Sequence, residues 1–405
     1  MNLRLSTDVK KNRQTQLIHA PRNAPQLIST VQPPLYRAST IIFKDTDALY
    51  HRHWSDDYDY SYGTHGTPTT FTLGDNIAQI EGGQYCLLAP SGLSAIHLVN
   101  SCFLNQGDEV WVADNIYGPN LEHLRDLAAR YGVIVKIYNP IDASTFMPSE
   151  KTKLIWLEAA GSVTLEFPDL VALVKKAKAA DVLTALDNTW GAGLAFNAFD
   201  FGNEHLSVDL TVHALTKYPS GGADILMGSV VTRDKKLYQK LYRSHAIQGI
   251  CVSGDDVAQV QRSLPSMALR YHAQNQTTLQ IRDWLNQQSQ FSQVLHPADP
   301  NNPSYAYWQA VCQEGHSAGL VSVIFHEKYT LKDVRRFCDA LELFKLGFSW
   351  GGPVSLVMLY ELKHMRQLEN QHLSQGILVR FCIGLEHASD LIQDLQQALQ
   401  QLEQS

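Results

Sequence analysis

The sequence predicts an α/β protein: a large, mostly parallel β-sheet domain followed by a smaller C-terminal α/β domain. Three observations lead there. Short apolar runs alternate with helical patterns from residue 70 onward, which is the mark of βαβ units. The runs are apolar throughout, as in strands covered on both faces. The chain has 405 residues, too many for one ordinary core, so two or three domains are expected.

Residues 1–65 read as an N-terminal extended arm. Pro21, Pro25, Pro33 and Pro34 break any long helix. Tyr58, Tyr60 and Tyr62 alternate with small or acidic residues ahead of Gly63 and Gly66. Residues 66–255 read as the main domain, with strands expected at 86–89, 110–112, 133–137, 154–157, 182–186, 210–212 and 227–232. Helical patterns at 94–104, 121–131 and 170–180 fall between them. Residues 256–405 read as the second domain. The stretch 255–288 reads as one long helix, 320–326 and 378–383 as strands, and 331–343 and 388–402 as helices. In the last of these, Leu391, Leu395, Ala398, Leu399 and Leu402 share one face. The glutamines around them form its solvated side.

Composition excludes several classes of function. Hydrophobic residues make up 44% and charged residues 18%, a globular balance. Lys plus Arg is 33 against 40 for Asp plus Glu, giving a net charge of −7, so no nucleic-acid partner is expected. The densest cationic group, Lys175, Lys176 and Lys178, reads as a solvated helix face. No run approaches the roughly 18 apolar residues of a membrane span, and the first residues lack the apolar stretch of a secretory signal. A cytoplasmic protein without a membrane partner is the expectation. Six cysteines, Cys86, Cys102, Cys251, Cys312, Cys338 and Cys382, form no CxxC pair and are expected as reduced, buried thiols. His51 and His53 have no ligand cluster around them. Structural zinc needs four ligands, so a polar loop and no metal are expected.

Four features could carry chemistry, each with a plainer reading. Pro90-Ser91-Gly92-Leu93-Ser94 joins a strand to a helix, where backbone N–H groups can hold a phosphate; a turn with an N-cap explains it too. Asp187 ends an expected strand, where open α/β sheets bind ligands. Its carboxylate can pair with a ring nitrogen or cap the next helix. Lys217, between Thr216 and Tyr218, follows the strand at 210–212 and is either a Schiff-base lysine or an exposed one. Arg380 lies inside the apolar run 377–383 and needs an anion, from an internal salt bridge or a substrate carboxylate. A phosphate loop, a strand-end acid, a strand-end lysine and an arginine, in that order, suit a pyridoxal-phosphate enzyme acting on an amino acid. A non-catalytic nucleotide-binding α/β protein is the alternative from another class, but Gly92 lacks a GxGxxG or GxxxxGK[ST] setting.

At this point the chain resembles the Cys/Met-metabolism family of pyridoxal-phosphate-dependent enzymes, from Gln14 to Glu386. The most specific stretches are TLGDNIAQIEGG at 72–83, LDNTWGAGLAF at 186–196, LTKYPSGGADILMG at 215–228, FSWGG at 348–352 and VRFCIGLE at 379–386. The resemblance implies a fold-type I transferase-like architecture and pyridoxal 5'-phosphate as cofactor. It also implies an amino-acid thioether as substrate and a homotetramer, a dimer of dimers with active sites at the subunit interface. Carried over by position, Lys217 matches the Schiff-base lysine and Asp187 the partner of the pyridinium nitrogen. Tyr117 matches the tyrosine stacked on the ring. The backbones of Gly92 and Leu93 and the hydroxyl of Thr216 match phosphate contacts, and Tyr62 a phosphate ligand from the neighbouring subunit. Arg380 matches the substrate-carboxylate clamp, with Ser349 and Trp350 beside it.

The chain departs from the family in three places around the phosphate. Thr64, followed by His65, stands where many relatives carry an arginine, and Ala214 where many carry a serine. Gly221-Gly222-Ala223-Asp224 replaces a common Gly-His-Ser-Asp. A fourth position bears on the reaction. Phe348 precedes Ser349-Trp350-Gly351-Gly352 where γ-enzymes of the family commonly have a glutamate. That pattern resembles the β-lyases, implying β-elimination of L-cystathionine to homocysteine, pyruvate and ammonia, as in methionine biosynthesis. A γ-lyase or γ-replacement enzyme is the alternative, and a plain core role for Phe348 stays open.

Overall fold

The structure, a computed structural model, describes residues 13–18, 30–51, 60–202, 206–312, 314–369 and 372–402. Pro21, Pro25, His53 and Tyr58 lie outside them. Strands β1 Tyr85–Ala89, β2 Glu109–Ala113, β3 Ile134–Tyr138, β4 Thr152–Glu158, β5 Leu183–Asp187, β6 Leu210–His213 and β7 Gly228–Thr232 form one sheet in the order β1-β7-β6-β5-β4-β2-β3. Neighbours pair in parallel from β3 through β6, and β7 runs against both β6 and β1. No helix lies between His213 and Gly228. A parallel return needs a crossover, so the chain turns back beside β6.

Alternate residues of these strands enter opposite cores. On β4, Ile155 and Leu157 join one and Leu154 and Trp156 the other. That two-sided burial is why the runs read as apolar throughout. The faces are covered by α1 Arg13–Ile18, α3 Pro68–Glu81, α4 Gly92–Phe103, α5 Gly118–Tyr131, α6 Leu170–Ala179 and α7 Lys235–Ile247, while α2 Thr46–Tyr50, on the arm, buries no residue. Helix α3 starts at Pro68 behind a Thr67–Thr70 capping box, and α4 at Gly92 behind Ser91, whose Oγ accepts the Ser94 N–H.

The expected single helix over 255–288 is two: α8 Gly254–Ser263 and α9 Met267–Leu285, parted by a 3₁₀ turn at Leu264–Ser266. Pro265 has no N–H to give and crowds the preceding turn, so the α-helix stops there. Beyond it come β8 Phe291–Leu295, α10 Tyr305–Val311, β9 Leu320–Phe325, α11 Leu331–Ala340, β10 Lys345–Leu346, β11 Leu356–Glu361, β12 Ile377–Cys382 and α12 Ala388–Gln400. The strands form a second sheet in the order β10-β11-β12-β9-β8, antiparallel except for β10–β11. One face packs on α11 and α12, with Leu391, Leu395, Ala398, Leu399 and Leu402 all buried there. On β12, Val379 and Phe381 point into that core, so the alternation places Arg380 on the opposite face.

Two smaller expectations change. The arm is not wholly extended: it holds α1 and α2, and Leu17 of α1 is buried in the main core. The cysteines are unpaired, but Cys251 is exposed and only Cys312, Cys338 and Cys382 are fully buried. Among the described residues no helix is long and apolar enough to cross a membrane, and no three His, Cys, Asp or Glu side chains gather as metal ligands.

Candidate active site

The site is built at the carboxyl ends of the parallel strands, where an open α/β sheet leaves a crevice. Lys217 sits in the turn after β6. Its Nζ donates to Ser349 Oγ at 2.7 Å and lies 5.5 Å from the centre of the Trp350 ring. Burial and then the nearby Arg380 charge push its pKa down to about 8. The segment carrying Ser349 passes close to the lysine backbone. A Cβ on Gly351 would come within 3.0 Å of Tyr218 N, and Ser349 itself takes a φ of +100°, strained for a residue with a side chain. The Cys382 thiol donates to its carbonyl at 3.2 Å.

Asp187 ends β5, and Glu158 stands opposite it at the end of β4. Asp187 accepts from the backbone N–H and the hydroxyl of Thr189, at 3.0 and 2.5 Å. Glu158 accepts the Tyr117 N–H at 2.7 Å. Burial raises both carboxyls, and for Glu158 the neighbouring Asp187 raises it further. Two acids side by side favour a proton or a cation between them. The Tyr117 ring is 40% exposed at the start of α5, and its hydroxyl is raised by burial and then by the charges of Asp187 and Glu158. Glu158 was legible by the signal that marked Asp187, an acid closing an apolar run, but the sequence reading passed over it.

At the N-terminus of α4, the N–H groups of Gly92 and Leu93 find no acceptor among the described residues. A Cβ on Gly92 would fall 2.6 Å from Ala214 Cβ, so only glycine lets the helix end approach the turn after β6. Thr216 is nearby, but its hydroxyl is engaged with Met227, accepting its N–H at 3.0 Å and donating to its carbonyl at 3.2 Å. His65 Nδ1 bonds Ser61 Oγ at 2.9 Å.

Arg380 is 8% exposed, stacked 5.6 Å from the centre of the Tyr360 ring, and its Nε has no partner. Among the described residues no carboxylate pairs with it, which removes the internal salt bridge from the two readings. The structure therefore brings together Lys217, Ser349, Trp350, Arg380, Asp187 and Tyr117, with Gly92, Leu93 and Thr216 at one end. Tyr62 stands apart: it is exposed, and no bond or ring contact among the described residues joins it to the others within this chain. Phe348, which the core reading would bury, is 77% exposed beside Ser349.

Known proteins bear on these findings. The family model described as Cys/Met metabolism PLP-dependent enzyme matches residues 14–400. The cystathionine beta-lyase of Escherichia coli is 30% identical over 95% of this chain and 97% of its own. An L-alanine/L-glutamate racemase of Wolbachia pipientis is also 30% identical, over 95% of this chain and 96% of its own. A cystathionine gamma synthase from Xanthomonas oryzae, solved in complex with cystathionine, superposes with a TM-score of 0.84 at 26% identity, covering 98% of this chain and 100% of that one.

Proposed function

The chain belongs to the Cys/Met metabolism family of PLP-dependent enzymes, and from that premise we propose that it cleaves L-cystathionine by β-elimination. Relatives at similar distance carry the names of a β-lyase, a racemase and a γ-synthase, so the reaction has to be argued from this chain's own residues. The observation that carries the reading is Phe348. It is an exposed apolar ring next to the serine that holds the lysine amine. An uncharged wall there suits the thioether arm of the substrate and offers no anion to hold a distal ammonium.

The cofactor of the family is pyridoxal 5'-phosphate, and the residues present fit it. Lys217 would be the attachment point. Asp187, backed by Glu158, would pair with the ring nitrogen and keep it protonated. Tyr117, exposed at the edge, would stack on the ring. The free N–H groups of Gly92 and Leu93 would take the phosphate, and the Thr216 hydroxyl would join them. Bound there, the cofactor supplies an electron sink for the charge that develops at the substrate Cα.

The rest is done by side chains. Arg380, with Ser349 and Trp350, holds the α-carboxylate and fixes which Cα bond faces the lysine. The Lys217 amine, whose basicity burial and then the nearby Arg380 charge lower, would remove the Cα proton once the substrate amine has taken its place on the cofactor. Ser349 Oγ aims it. The electron pair left at Cα expels homocysteine thiolate from Cβ, and water completes the release of pyruvate and ammonia. Tyr62 completes the phosphate site of a neighbouring subunit in a homotetramer. The exposed Val31, Ile42 and Tyr50 of the arm support burial against a second copy. The same reading divides the chain into an arm to 65, a cofactor-binding domain to 255 and a small domain from 256, in a cytoplasmic enzyme.

Product analysis with L-cystathionine tests the reaction. Homocysteine with pyruvate is expected, whereas cysteine with 2-oxobutyrate, or no thiol at all, overturns it.

A further inference from the structure

The turn that carries Tyr117 is gripped from three sides. The Asp114 carboxylate accepts the backbone N–H groups of Gln367 and Leu368, at 2.9 and 3.2 Å. The Asn115 side chain donates to Glu166 Oε2 at 2.8 Å, and its carbonyl accepts the Ser162 N–H at 2.9 Å. Glu158 holds the Tyr117 N–H. Glu158 and Glu166 thus close the two ends of one loop that wraps this turn. Gly161 is required inside it, because a Cβ there would meet the Asn115 amide at 2.0 Å.

Glu166 is the hub. It is 2% exposed, and its carboxylate takes Arg366 Nη2 at 2.8 and 3.0 Å, His372 Nε2 at 3.0 Å and the Thr164 hydroxyl. Burial alone would raise its pKa, but Arg366 and the bonds from His372 and Thr164 hold it well below the carboxylate range. Arg366 and His372 belong to the connection between β11 and β12, the strand of Arg380. That connection is tied back to the small sheet through Gln293 of β8, whose side chain donates to the His372 carbonyl and accepts the Ser374 N–H. Ser322 of β9, the register partner of Arg380, donates to the Val163 carbonyl of the same wrapping loop at 2.6 Å. The strand of Arg380 and the turn of Tyr117 are therefore fastened to one buried ion cluster.

We propose that Glu166 and Arg366 are positioning residues that set the Arg380 guanidinium against the Tyr117 ring, and so govern how well the site takes an amino acid. This rests on the function proposed above. Misplacing a binding group by a fraction of an ångström weakens what it orients, while Lys217, in a different turn, keeps its place. The double variant Glu166→Gln/Arg366→Gln removes both charges together and leaves none buried alone; Arg366→Gln is its companion. Two quantities are read on the holoenzyme: the dissociation constant for glycine, an unreactive amino acid, from the shift of the cofactor absorbance band, and KM against kcat with L-cystathionine.

The expected result for the double variant is a retained cofactor band, a glycine dissociation constant and KM raised roughly tenfold, and a kcat lowered with them. A melting temperature that falls while both constants stay within about twofold overturns the proposal and leaves the cluster a plain brace. Should Arg366→Gln fail to fold, the double variant decides alone. A wild-type protein without a cofactor band refutes the proposed function instead, so the two failures are distinguishable.

Discussion

Arg366, whose side chain is covered though its backbone is not, and Arg380, which is buried, both lie in the small domain, and they keep opposite company. Arg366 has a carboxylate built in, Glu166, at 2.8 Å. Each leaves one nitrogen without a partner, Nη1 of Arg366 and Nε of Arg380, but Arg380 has an aromatic face and no acid among the described residues. A buried cation is costly unless something neutralises it. The first arginine is neutralised by the fold, and the second is left for something that arrives. Covered side chains with unequal pairing separate a brace from a binding group more sharply than either residue's exposure does.

The most direct way to break that comparison is to remove each arginine in turn. Arg366→Leu leaves Glu166 buried without its cation and is expected to cost about 3–5 kcal/mol of stability. Arg380→Leu removes a cation that has no internal partner, so stability should hold or rise. Its loss should appear instead as weaker substrate binding, by roughly 2–5 kcal/mol, with the cofactor band kept. Denaturant unfolding and KM for L-cystathionine, measured on both variants, check this. If Arg380→Leu unfolds the protein and Arg366→Leu does not, the assignment of the two roles is inverted.

Much of this contrast was legible in the sequence, and the illegible part has a physical cause. Arg380 stood out because a charge interrupts an apolar strand, and Asp187 because an acid closes one. Such interruptions are local. Arg366 lies in a polar connection where an arginine attracts no notice, and its partner Glu166 is distant along the chain. Only folding brings a surface-like arginine under cover. The strands of the main sheet were readable because both faces are buried. Strand β11 was missed because most of its residues are only half-buried, which blurs a period-two pattern. The break between α8 and α9 rests on Pro265 alone, set in otherwise continuous helical texture.

The comparison extends to pH through Lys217, which has Arg380 as its second perturbing influence after burial. In the cofactor-free protein its pKa is about 8 against an ordinary value of 10.5. The folded state thus binds fewer protons than the unfolded state between those two pH values, and stability gains as pH rises through that window. Below about 8 both states are protonated and the full cost of the buried ammonium is present. Cofactor-free Lys217→Met should therefore be the more stable protein at pH 7, by on the order of 3 kcal/mol. Its advantage should shrink steadily from pH 8 to 10.5. An advantage that does not change across that range would mean the lysine is not desolvated by the fold.

The smallest expected effect concerns what holds Arg380 in the absence of an acid. Its guanidinium lies 5.6 Å from the centre of the Tyr360 ring, on the adjacent strand β11 and within the range where a ring face attracts a cation. Tyr360 pairs with Leu378 in the ladder, two residues from Arg380. Tyr360→Leu removes the face and keeps an apolar residue in the strand. The expected loss is about 1 kcal/mol, seen as a roughly fivefold rise in KM with little change in melting temperature. Tyr360→Phe keeps the face and should stay close to wild type. If the two variants are equally impaired, the hydroxyl and not the ring is what orients Arg380, and the pairing that sets it apart from Arg366 is a hydrogen bond formed only with substrate in place.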